Sequence, residues 1–392
     1  MRILYFQTYT VYGATEKYIY ALAEKINKAN FQVGILYPDV LKLQPFSKLD
    51  NVELLAVDSK YFAGSLIRYA YPIAKEIRKF APDIVHINDP SFLGVIAARL
   101  AGVKKVLITY HTPELKTQYN WKGKLAKKLA FKLTDYFVFT SDYDKEIGIL
   151  SNDIPSNKSK VIAYGLDTNK FSQTQEQRNI IRKNIKDKLQ IPQDHVVIAS
   201  AGRLHPQKAQ SELIKAANIV CSKHGDVTFV LVGQGSLRTQ LGTQVNNLGL
   251  SRKFLLPGFM NNIEEFLCAV DIFTMSSLFE GLCYAVVEAA AMSIPVVATA
   301  VGGMRYSVAD NDTGFLVEPR NPEKLAEKIN YLLDNSSIAE QMGERGRARF
   351  MELFTLKRMI DETEAVYERL LLNNLDELGS KQEKAKSVIF NP

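Results

Sequence analysis

Short apolar runs rich in Val, Ile and Phe alternate with helical patterns along nearly the whole chain, and this alternation constrains the fold most. Strands are expected at 3–6, 32–36, 52–57, 84–87, 106–110, 136–139 and 161–163. Amphipathic segments at 15–28, 66–80 and 92–101 lie between them. In the first of these, Ile19, Leu22, Ala23 and Ile26 recur at helical spacing. Strands apolar on both faces, each followed by a helix, predict a parallel sheet covered on both sides. The stretch 172–179, SQTQEQRN, is polar without periodicity and reads as a linker. Alternation then resumes, with strands at 196–201, 227–232, 254–256, 271–274, 295–298 and 314–317. Helices are expected there at 209–221, 284–292 and 322–333.

Two α/β domains follow, each a Rossmann-like doubly wound sheet: 1–171 and 172–355. A helical pattern over 356–372 is expected to cross back to the first domain, and a polar, Lys-rich tail runs to 392. At roughly 150 residues per domain, 392 residues suit this division. With 46% hydrophobic and 23% charged residues, the chain is neither disordered nor fibrous. A net charge of +7 is too modest to indicate nucleic acid as a partner. Cys221, Cys268 and Cys283 are far apart and form no CxxC, which argues against a disulfide framework or zinc cluster and fits a reducing cytoplasm. The N-terminus reads straight into a strand, without the marks of a signal peptide. No apolar run approaches the ~18 residues of a membrane span. A cytoplasmic protein, soluble or peripheral to the membrane, is expected.

Ligands of doubly wound sheets sit beyond the carboxyl ends of the strands, here in a cleft expected between the two domains. After the strand at 196–201 come Gly202-Arg203-Leu204-His205-Pro206-Gln207-Lys208 and a helix. Arg203 and Lys208 bring two cations to a helix N-terminus, which itself favours anions. This suits a diphosphate, although a solvated basic loop has the same composition. Glu280 and Glu288 flank Gly281-Leu282-Cys283-Tyr284, whose backbone N–H groups can face an anion. Were the whole span helical, eight residues would rise ~12 Å and turn ~80°. That geometry disfavours a hydrolase carboxylate pair, which needs ~5–9.5 Å, and suits two acceptors gripping one elongated ligand. An acidic first helical turn remains the plain alternative. His111 follows a strand directly and is a candidate polar contact. Gly13, between the first strand and the first helix, permits close approach of a substrate. Gly233-Gln234-Gly235 lacks the third glycine of a dinucleotide fingerprint, since Arg238 stands there. Asp142-Tyr143-Asp144 and Asp310-Asn311-Asp312 read as a helix cap and a polar turn, and neither needs a metal. Cys283 has no neighbouring cue for thiolate activation and reads as a small filler.

Together these motifs resemble the retaining GT-B glycosyltransferases of family 4, over most of residues 1–370. The family's G-R-x-x-x-x-K-G element is similar to Gly202-Arg203…Lys208, with Ala209 in place of the last Gly. Its E-x7-E element matches Glu280 and Glu288. VVATAVGGMRYSVADNDTGFLV, PDIVHINDP, ITYHTP and VIAYGLDTNKF resemble the family as well. Two departures stand out: Gly13-Ala14 replaces a Gly-Gly pair, and Met304-Arg305-Tyr306 replaces Ile-Pro-Glu. The resemblance implies a nucleotide-sugar donor, a UDP-sugar first, and a hydroxyl acceptor, lipid-linked or not. It assigns Arg203 and Lys208 to the diphosphate and Glu288 to the ribose. Glu280 and the backbone of Gly281, Leu282, Cys283 and Tyr284 take the sugar, and Gly13 lies near donor or acceptor. His111 approaches the sugar from the first domain, and Phe259 and Met260 lie near the base. No cofactor or metal is implied. Another GT-B enzyme, such as a sugar-nucleotide epimerase, or a non-catalytic sugar-nucleotide-binding partner stays open as an alternative.

One further stretch is set apart by charge. Between 104 and 132 stand eight lysines, with Glu114 the lone acid, and Trp121, Leu125, Leu129 and Leu133 recur every four residues. A basic amphipathic helix can lie on an anionic membrane surface. The same stripe can instead pack on the sheet with its lysines in water.

Overall fold

A computed structural model of the chain describes residues 1–7, 14–40, 46–62, 67–88, 91–111, 121–152 and 154–372. Its contacts divide the chain into two units, one of residues 1–165 with the residues from Leu356 onward, the other of residues 166–355. The division falls before the boundary expected after residue 171.

Among its described residues the first unit holds seven strands: β1 (Arg2–Phe6), β2 (Gln32–Pro38), β3 (Val52–Val57), β4 (Ile84–Asn88), β5 (Lys105–Tyr110), β6 (Tyr136–Phe139) and β7 (Ser159–Val161). They form one parallel sheet in the order β3-β2-β1-β4-β5-β6-β7. Every residue of β4 is buried, as a strand covered on both faces requires. The helix Leu356–Leu372 is tied into this unit by buried polar contacts. The Tyr367 hydroxyl lies 2.6 Å from His86 Nδ1 and donates to the Tyr5 hydroxyl at 3.3 Å, while His86 Nε2 meets Thr109 Oγ1 at 2.6 Å. Burial pushes His86 down to about 3, so this ring is a neutral hydrogen-bonding link.

The second unit holds β8 (Val196–Ala201), β9 (Val227–Val232), β10 (Phe254–Gly258), β11 (Ile272–Met275), β12 (Val296–Thr299) and β13 (Gly314–Val317), all parallel, in the order β10-β9-β8-β11-β12-β13. Its core gathers Ile198 and Phe229 from the sheet with Leu213, Leu325 and Ile329 from covering helices.

Two expectations need correction. Residues 172–179 are not a linker throughout, because a helix spans Gln175–Lys188. Thr174 and Gln177 form a reciprocal capping box that starts it. Most of its first turns face water, so its sequence lacks an apolar stripe. The last strand of the first unit is Ser159–Val161 rather than 161–163. Among the described residues it pairs with β6 alone, where a short edge strand leaves little room for alternation to show.

Candidate active site

Each sheet reverses its strand order once, between β1 and β4 and between β8 and β11. Connections leaving such a pair diverge to opposite faces and open a crevice at the carboxyl edge. In the second unit that edge carries the loop 202–208 after β8 and the loop 276–283 after β11.

These loops are bound to each other. The Ser276 hydroxyl donates to the carbonyl of Lys208 at 2.8 Å, and the Leu278 N–H donates to that of Gln207 at 2.8 Å. Gln207 Nε2 reaches the Phe279 carbonyl at 2.9 Å. Lys208 donates from Nζ to Glu280 Oε1, and the Ser277 hydroxyl donates to the same oxygen at 2.6 Å. Both charged side chains are largely buried, at 14% and 8% exposed. Burial pulls the Lys208 ammonium down. The neighbouring Cys283 sulfur and the bonded Glu280 carboxylate outweigh that, and its pKa stands above the ordinary value. Burial also pushes the Cys283 thiol up to about 11, so the thiol is uncharged near neutrality and Glu280 is the anion that keeps Lys208 protonated. That agrees with Cys283 as a filler rather than a nucleophile. Arg203 is exposed on the same loop, and its carbonyl accepts from buried Gln210 at 2.7 Å.

Glu280 precedes the helix Tyr284–Ala291, while Glu288 lies buried within it. The span between them is therefore not one helix, and the ~12 Å rise of a wholly helical span does not apply. Gly302 fixes this entry. Its φ is +49°, and a Cβ there would stand 1.8 Å from the Glu280 carbonyl oxygen. Gly233 meets a similar demand, since a Cβ on it would stand 1.8 Å from the Gly202 carbonyl oxygen. Without that Cβ, the loop after β9 can press against the one after β8. In the sequence this glycine reads only as part of a failed dinucleotide motif. Ala209, between Lys208 and the helix Gln210–Lys223, takes the left-handed conformation (φ 45°, ψ 41°). That explains physically why glycine suits the position. Phe259, directly after β10, is 64% exposed, with Met260 half-buried beside it.

His111 belongs to the first unit, at the carboxyl end of β5. Its Nδ1 lies 2.7 Å from the Tyr164 hydroxyl and its Nε2 lies 3.5 Å from Asn88 Oδ1. Tyr164 stacks on the ring, and Tyr18 meets it edge-on at 4.9 Å. Burial pushes this imidazole down to about 3, so it acts as a neutral hydrogen-bonding group. Gly13 lies outside the described residues. In the Lys-rich segment, Lys116 and the side chains of Trp121, Lys122 and Lys124 also lie outside them.

Comparison with known proteins follows the same division. A family model described as Glycosyltransferase Family 4 matches residues 15–170, and one described as Glycosyl transferases group 1 matches residues 181–349. A UDP-Gal:alpha-D-GlcNAc-diphosphoundecaprenol alpha-1,3-galactosyltransferase of Escherichia coli is 29% identical over 309 residues, 76% of this chain and 78% of that one. A capsular polysaccharide biosynthesis glycosyltransferase, CapM of Staphylococcus aureus, is 28% identical over 368 residues, 89% of this chain and 92% of its own. Among solved structures, Anabaena Alr3699/HepE in complex with UDP superposes with a TM-score of 0.81 at 20% identity, over 94% of this chain and all of that one. A likeness at that identity shows the fold, two Rossmann-like domains of the GT-B type.

Proposed function

Because the chain belongs to glycosyltransferase family 4 and has the GT-B fold, we propose that it moves a sugar from a UDP-sugar to a hydroxyl acceptor with retention, in glycolipid or polysaccharide synthesis. The observation that carries this reading is the buried Lys208–Glu280–Ser277 cluster at the crevice between β8 and β11. Support for UDP comes from the donor named for the E. coli relative and from the ligand of the Anabaena protein. The acceptor is a lipid-linked diphosphate sugar by the same relative's name. Among the described residues no helix is long and apolar enough to cross a membrane. In this reading the chain works in the cytoplasm and meets its lipid-linked acceptor at the inner face of the bilayer.

Sugar transfer breaks the bond from the anomeric carbon to the diphosphate. Positive charge grows on the sugar and negative charge on the leaving oxygen. Arg203 and Lys208 hold the diphosphate and strengthen their grip as that charge grows, with the N–H groups at the start of the helix Tyr284–Ala291 beside them. Two side-chain cations take the place of a divalent metal. Glu280 serves the sugar with its remaining acceptor capacity, together with the backbone of Gly281, Leu282, Cys283 and Tyr284. Glu288 receives the ribose hydroxyls, and exposed Phe259 with Met260 offers a face to the base. Glu280 is held by Lys208 and Ser277 and is not needed as a nucleophile. Retention follows when the acceptor attacks from the leaving-group face and the departing phosphate oxygen takes its proton. At the first unit's carboxyl edge, neutral His111 hydrogen-bonds substrate, its ring oriented by Tyr164.

The test is slow release of UDP from UDP-sugars without acceptor, repeated in EDTA, followed by NMR of the product's anomeric configuration with an undecaprenyl-diphosphate sugar as acceptor. UDP release that persists in EDTA and a retained configuration are expected. Loss in EDTA with rescue by Mn²⁺ would overturn the metal-free cradle, and inversion would overturn the same-face mechanism.

A further inference from the structure

The Lys-rich helix Trp121–Lys132, WKGKLAKKLAFK, turns an unexpected face outward. It packs inward through Ala130 and Phe131, and the Phe131 ring meets Phe137 edge-on at 5.5 Å and Tyr110 at 6.1 Å. Leu125 and Leu129, one helical turn apart, are left 61% and 45% exposed. The reading in which this stripe packs on the sheet therefore fails for these two leucines. Beside them a groove of about 230 Å³ runs over the buried apolar floor of Phe131, Phe137 and Ile154, and Lys128, Lys132 and Lys158 stand at its rim. All three lysines are exposed, and the helix carries five lysines and no acid. Paired leucines in water are unfavourable, and an apolar surface ringed by one sign of charge marks a contact with something apolar and oppositely charged.

We propose that this face of the first unit docks on an anionic phospholipid bilayer, with Leu125 and Leu129 entering the boundary of headgroups and acyl chains and Lys128, Lys132 and Lys158 gathering lipid phosphates around the groove. The charge excludes a neutral membrane as a strong partner. The adjacent leucines set the site apart from a purely electrostatic one, because lipid offers phosphate and hydrocarbon at adjoining depths. The inference deepens the lipid-acceptor reading and rests on it for its purpose, although binding is measured without donor or acceptor.

The experiment is sedimentation of the full chain with vesicles of phosphatidylcholine alone or mixed with phosphatidylglycerol. At low salt the chain should pellet with the mixed vesicles only, and high salt should release it. Each lysine near an anionic surface is worth about five-fold in partitioning. Lys128→Glu/Lys132→Glu/Lys158→Glu should therefore lower binding by about 10²-fold or more. Leu125→Ser/Leu129→Ser, which leaves the charge unchanged, should lower it about ten-fold. No pelleting with mixed vesicles at low salt, or pelleting that survives both variants, would overturn the proposal. So would capture of phosphatidylcholine vesicles equal to that of mixed ones. UDP release by each variant should match the parent chain. Failed vesicle binding with intact UDP release would remove the surface alone, and vesicle binding without UDP release in the parent would remove the donor reading alone.

Discussion

Replacing Lys208 by Met removes the ammonium and keeps most of the volume, which isolates the charge. Glu280 would then be a carboxylate only 8% exposed, with the Ser277 hydroxyl still donating to it. Breaking a buried pair from one side costs about 3–5 kcal/mol, because the other charge stays desolvated. For a unit of this size, 1 kcal/mol shifts the melting temperature by roughly 2–4 °C, so the second unit should melt on the order of 10 °C lower. Glu280→Gln keeps an acceptor for Ser277 and should cost less. In Lys208→Met/Glu280→Gln neither charge remains, and the double variant should lose about 1–3 kcal/mol less than the sum of the two single losses in the double-mutant cycle. Activity should behave differently. All three variants lack a preorganised cation, its fixing carboxylate or both, and should lose about 10²-fold in kcat/KM. The assay pairs differential scanning calorimetry with UDP release on the same samples. A stability loss in the double variant smaller than the sum of the single losses, while activity stays low, is the expected result. Additive losses would mean that the two side chains do not act as a pair, and Lys208→Met with parental activity would refute the cradle.

Ala209→Gly relieves a left-handed alanine worth about 1–2 kcal/mol, less about 0.5–1 for the freer unfolded chain, so the urea midpoint of the second unit should rise; a fall would refute the strain. Glu288→Gln should raise donor KM more than it lowers kcat in UDP-release kinetics, and an equal loss in both would move Glu288 away from ribose binding. Asp144, which accepts from Ser141 and Thr140, is pushed up to about 6 by burial despite those bonds. The folded state then binds its proton more tightly than the unfolded one. Stability should fall by about 3 kcal/mol as pH rises from about 4 to about 6 and stay level above, and Asp144→Asn should flatten that slope in pH-dependent urea melts.

The sheets were legible because parallel strands buried on both faces leave continuous apolar runs, such as Val227–Val232, that polar turns bracket. Edges and helix faces were less so. The helix Gln175–Lys188 is mostly exposed, and its sequence signal is the capping box at Thr174 and Gln177 rather than a stripe. Leu125, Leu129 and Leu133 have the spacing of a core stripe, yet Ala130 and Phe131 take the core. Spacing tells which residues share a face but not which way the face turns. At the site, the Arg203–Lys208 loop and the carboxylates could be found one by one. The contact that joins Lys208 to Glu280 spans 72 residues and has no local signature.

That contact also bears on how the proposed cradle would work. A cation aimed by ligand alone would have to reorganise in every cycle, and its desolvation would oppose holding the charge. Here Glu280 keeps Lys208 protonated against burial, Ser277 orients Glu280, and the Thr299 hydroxyl fixes the Ser277 carbonyl at 2.6 Å. Gly302 lets the chain pass against the Glu280 carbonyl without a side chain in the way. In the proposed reading the ammonium is therefore charged and in position before a diphosphate would arrive. A donor phosphate would then share Lys208 with Glu280 in the ground state, and its claim on the ammonium would grow as the leaving oxygen gains charge. Such a shared cation favours the transition state over the bound donor, and that differential raises kcat rather than only lowering KM.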